Sequence, residues 1–189
     1  MPRHTLNADG SLTTEDGTVV VLEVVDEEFI HVPHLAPHVL LFNMPQGEVI
    51  GIKVIYSSHC WSESYDPLIH IPLPKIIMDG AAARVFSSLR FEDSRMLGVL
   101  LNDLAYRKIY WTPSDRNFGI YNATAIIDGL AYTAFFTLRK ERGKLNDKRH
   151  SVVMRIESAY HAPQPSKGMK IKAAVAIDAV LKGRKLAYR

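Results

Sequence analysis

Three stretches of the chain concentrate side chains that metal-independent cleavage of RNA would need. Arg84, Arg90 and Arg95 stand in the first. Arg139, Lys140, Arg142, Lys144, Lys148, Arg149 and His150 stand in the second, and Glu157, Ser158, Tyr160 and His161 in the third. In that reaction a base takes the 2′-OH proton, an acid protonates the leaving 5′-oxygen, and arginine or lysine stabilises charge developing on the phosphate. His150 is the candidate acid or base, imidazole being suited to proton transfer near neutral pH. The plainer alternative is that His150 ends a basic, solvated hairpin loop. Alternation along a strand through 151–160 puts Ser158 and Tyr160 on one side, a hydroxyl pair able to bond a phosphate or each other. The alternative for Tyr160 is core packing with its hydroxyl satisfied.

Other constellations carry less. Adjacent residues of a strand point to opposite faces, so His59 and Cys60 in His59-Cys60-Trp61 cannot form a dyad alone. His31, His34, His38, His59 and His70, with Asp66 or Glu63, match no established ligand spacing, and Pro33 and Pro37 interrupt any shared helical face. No metal is expected. No phosphate-binding glycine loop, dinucleotide fingerprint or nucleophile elbow occurs, so no cofactor is expected either.

Charge points to a partner. The net formal charge is +3, yet residues 1–30 carry seven acids against Arg3. Residues 167–189 carry Lys167, Lys170, Lys172, Lys182, Arg184, Lys185 and Arg189 against Asp178. A basic tail beside a basic loop suits a polyanion, and RNA contacts are expected at Arg84, Arg95, Lys140, Arg142, Lys170, Lys172 and Lys182. The rival is that the acidic N-terminal part covers the basic part, or that both serve a protein partner such as an antitoxin.

At 189 residues with 47% apolar content, the chain can bury a core without disulfides, and its single cysteine excludes a disulfide framework. No apolar run approaches the roughly 20 residues of a membrane span, and the expected setting is the cytoplasm, away from membranes.

The elements that must position these residues follow from periodicity. Apolar spacing over 81–106 predicts a helix through Leu89, a joint near Glu92-Asp93, and a second helix over 94–107. Strand-like runs cover 117–127, 130–142 and 151–160, the first two joined by Asp128-Gly129. Residues 18–25 and 47–58 also read as strands. The run 169–182 fits both templates, and its alanines favour helix. The expected fold is α+β: a helical pair packed on a small antiparallel sheet, with a strand-containing N-terminal elaboration. The expected division is an elaboration at 1–80, a core at 81–161 and a basic segment at 162–189.

Ser58-His59-Cys60-Trp61-Ser62-Glu63-Ser64, Arg84-Val85-Phe86-Ser87-Ser88-Leu89-Arg90-Phe91-Glu92-Asp93-Ser94 and Val153-Met154-Arg155-Ile156-Glu157-Ser158-Ala159-Tyr160 together resemble a poorly characterised bacterial family of stationary-phase growth adaptation proteins. In fold the expected unit is similar to phage-type barnase and RelE-like toxin ribonucleases. That likeness implies phosphate-serving roles for Arg90, Arg139, His150 and Ser158, although Arg84 and Arg90 stand where those relatives carry a Lys-x-x-x-x-His helix start. The leading expectation is an RNA-engaging stress-response or toxin-like protein, as a metal-independent endoribonuclease. The alternatives are a non-catalytic protein- or nucleic-acid-binding module, a phage or prophage accessory protein, and an enzyme with a small-molecule pocket lined by His59, Trp61 and Tyr65.

Overall fold

The computed structural model describes residues 5–6, 11–13, 19–21, 33–66, 68–70, 76–80, 82–112, 120–127, 129–161 and 168–186. The chain divides into two compact units, one formed by residues 1–32 and 61–92 and the other by 33–60 and 93–189.

In the first unit, β1 (Thr5–Leu6), β2 (Ser11–Thr13) and β3 (Val19–Val21) form a small antiparallel sheet. A second three-stranded sheet involves segments further along the chain. After β4 (His38–Asn43) and β5 (Val49–Tyr56) of the other unit come β6 (Ser62–Ser64), β7 (Ile76–Asp79) and β8 (Ala82–Phe86). These last three pair in the order β6-β8-β7 around Tyr65, Ile76 and Val85.

The second unit follows α1 (Ser88–Ser94), with α2 (Leu97–Asn102), β9 (Lys108–Thr112), β10 (Ile120–Ile127), β11 (Leu130–Leu145), β12 (Lys148–His161), β13 (Met169–Lys172) and α3 (Ala173–Leu181). Its seven strands run β13-β9-β10-β11-β12-β5-β4, and the sheet curls into a half-barrel. Every pairing is antiparallel except β12 with β5. Gly51 makes that junction possible, since a Cβ there would drive into the Arg149 carbonyl. α3 packs its Ala173, Ala176, Ile177 and Val180 side against β11, β12 and β13.

The expected fold class is overturned. A helical pair on a small antiparallel sheet is absent among the described residues, and strands dominate. The apolar spacing at 85, 86 and 89 fits a helix, but Val85 pairs with Glu63 and Ile76 in a sheet, and cross-strand packing overrides so short a periodic signal. The helices left, α1 and α2, have seven and six residues. The strands expected over 117–160 do pair in chain order, but as the middle of the larger sheet. The run 169–182, read as helix, is helical only from Ala173 to Leu181; Met169–Lys172 is a four-residue strand, held by its pairing with β9. No helix among the described residues is long and apolar enough to cross a membrane.

Candidate nucleic-acid interface

The sheet brings together residues from opposite ends of the second unit. Lys170 lies opposite Tyr110, Tyr110 opposite Asn122, Asn122 opposite Phe135, and Phe135 opposite Ser158. Residues directly opposite in an antiparallel ladder share a face, so all five project to the same side. Two positions along, Lys172 opposes Lys108, Thr124 opposes Thr133, and Thr133 opposes Tyr160. Alternation sends the intervening residues to the other face, where Ile109, Trp111, Tyr121, Ala123, Ala134 and Ala159 are buried. Burial there pushes the Tyr121 hydroxyl up to about 12.

The first face changes character along its width. Asn122 and Thr133, in its middle, are buried, and Phe135 stacks on Tyr160 at 5.6 Å between ring centroids. At the β9–β13 edge the face is open. Lys108, Lys170 and Lys172 are exposed there, and none has an ion-pair partner among the described residues. A hollow of about 450 Å³ is lined by Tyr106, Arg107, Lys108, Tyr110, Thr124 and Lys170. A second, of about 350 Å³, shares Tyr106, Arg107 and Lys108 with it and adds Lys172, Pro45 and Ala174. Arg107 donates to Asp103 at 2.9 Å, and its Nε is buried without a partner.

The direct opposition of Lys108 and Lys172 breaks a local rule, because like charges facing each other across strands repel. Lys172→Gln is therefore expected to raise stability by about 0.2–1 kcal/mol, read as a higher midpoint in thermal unfolding.

The remaining expected site residues do not gather at this edge. His150 is buried, its ring lies against Gly143, and neither ring nitrogen has a hydrogen-bond partner among the described residues; the Glu141 carboxylate lies 3.7 Å from its Nε2. It is neither a solvated loop residue nor within reach of Ser158, which lies eight positions along β12, roughly 26 Å in an extended strand. Arg139 is exposed and paired with Glu141 at 2.6 Å. Lys140 donates to the Leu181 carbonyl, closing the end of α3. Lys182 and Arg184 both hold Asp178, and the Lys182 hydrogen bond leads in keeping that carboxyl below the usual carboxylate range. Arg142 is exposed near the β11–β12 turn with Lys144, Lys148 and Arg149. Arg95 is exposed between α1 and α2. In the first unit Arg90 is half-buried, and Arg84 is buried and donates to the Ser62 hydroxyl and carbonyl. Lys167 and His31 lie outside the described residues.

The other histidines are engaged separately. His34 bonds Ser94 at 2.6 Å, His38 approaches the Ala36 carbonyl, and His70 bonds Glu63 and the Asp66 carbonyl. Cys60 is buried with its thiol toward the Ile156 carbonyl. His59 and Cys60 belong to the second unit, and Trp61 and Tyr65 to the first. Among the described residues no group of three or more His, Cys, Asp or Glu side chains is placed to hold a metal ion.

Tyr106, Arg107, Lys108, Tyr110 and Thr124 escaped the sequence reading. The signal was present in Lys108-Ile109-Tyr110-Trp111 and Met169-Lys170-Ile171-Lys172, two short polar–apolar alternations. Comparison with known proteins gives one result: the family model described as the YjaZ family matches residues 20–181. No curated protein and no solved structure matches the chain.

Proposed function

The chain belongs to the YjaZ family, and we propose that it is an RNA-binding module of the cytoplasm that takes its ligand at the β9–β13 edge. One observation carries this reading: Lys108, Lys170 and Lys172 stand exposed, with no ion-pair partner among the described residues, around hollows that also expose tyrosine rings. Uncompensated cations spaced along a ladder suit a chain of phosphates, and aromatic rings between them suit bases. Binding is favoured over cleavage because the groups an acid–base mechanism would use are dispersed. His150 is buried at one end of β12, while Ser158 and Tyr160 lie toward the other.

The test is fluorescence anisotropy of a labelled single-stranded RNA titrated with the full chain at several salt concentrations. Contacts from the three lysines predict a slope near −2 in log affinity against log salt. The fall is then about 20-fold between about 50 and 200 mM salt. Affinity independent of salt, or no retention at low salt, would defeat the proposal.

A further inference from the structure

The hollows at this edge do not end with the two around Tyr106. A third, of about 370 Å³, adjoins the second through Pro45 and Ala174 and extends past Gln46 and Val175 to Lys182. Three depressions therefore follow one another along the edge, from Thr124 to the C-terminal end of α3. Tyr106 borders both the first and the second, and it is 88% exposed, the most exposed large hydrophobic side chain among the described residues.

We propose that the ligand of this edge is an extended single strand whose bases sit in successive hollows, with one base stacked on Tyr106. The proposal rests on the RNA-binding reading and names the form of the nucleic acid. A duplex turns its bases inward and presents mainly backbone, so separate hollows flanking an upright aromatic ring give it nothing to fill. A single strand offers free base faces. Each hollow is within the size range of small-molecule sites, and an exposed ring beside cations is the arrangement on which unpaired bases stack. The lysines follow the same path: Lys170 lines the first hollow, Lys172 the second and Lys182 the third. Among the described residues only Lys182 of the three is drawn aside, by Asp178, so the grip on phosphates is strongest around Tyr106.

The experiment compares one labelled RNA oligonucleotide, free and annealed to its complement, against the intact chain and two variants. The single strand is expected to bind at least about 10-fold more tightly than the duplex at equal salt. Tyr106→Ala is expected to lose about 5- to 100-fold in single-strand affinity, with the salt slope unchanged because no charge is removed. Tyr106→Phe, which keeps the ring, is expected to restore most of it. Circular dichroism identical to the parent would show that an exposed side chain was removed without harm to the fold. Equal affinity for duplex and single strand, or Tyr106→Ala binding at parental strength, would overturn the single-strand inference while salt-dependent RNA binding stood. Absence of any RNA binding by the intact chain would remove both.

Discussion

Glutamine at Lys108, Lys170 and Lys172 together is expected to lower affinity for single-stranded RNA by about 100-fold at low salt and to flatten the log–log salt slope by about 2. The size follows from geometry. The three ammonium groups project from one face of a two-stranded ladder, and among the described residues none is neutralised by a neighbouring carboxylate, so each can displace a counterion from the RNA. The fold should not suffer. Lys108 and Lys172 oppose each other directly, and removing both charges takes away a repulsion, so thermal stability should hold or rise. A matched variant separates this edge from general positive charge. Glutamine at Arg142, Lys144 and Lys148 removes the same number of charges from the exposed β11–β12 turn and is expected to change affinity by no more than about 3-fold. Equal losses from the two variants would show that RNA recognises net charge and not this edge.

The same residues show what a sequence discloses and what it withholds. The β10–β12 strands were legible because alternation, β-branched content and a tight turn agreed locally. Lys170 and Lys172 were picked out by charge, but as part of a helix. Met169–Lys172 is too short for its alternation to compete with the alanine-rich segment that follows, and only its partner, β9, makes it a strand. β9 itself abuts the run of 94–107 that the apolar spacing extends as helix; the helix in fact ends at Asn102. The parallel pairing of β12 with β5 joins Val152 to Ile52, and no local pattern encodes so distant a partner. His150 was misjudged for a related reason. In sequence it belongs to a basic turn, and only the register placing it opposite Gly143 buries it.

That register makes a sharp prediction about His150. A Cβ on Gly143 would lie 2.8 Å from the His150 Cε1, so the glycine and the imidazole fit each other across the strands. His150→Ala is expected to destabilise the chain by about 2–4 kcal/mol, because a buried ring is lost from a site that can collapse only in part. Gly143→Ala is expected to cost about 1–3 kcal/mol, because the new methyl group must push the ring aside. With the ring absent that collision disappears, and the methyl group occupies some of the space the ring has left. The double variant is therefore expected to be less destabilised than the sum of the singles by at least about 1 kcal/mol, measured from denaturant midpoints. Strict additivity would show that the glycine and the ring are not energetically coupled. A His150→Ala variant of parental stability that had lost an RNA-cleaving activity of the parent would return His150 to the candidates for chemistry, since an acid or base is removed without disturbing packing.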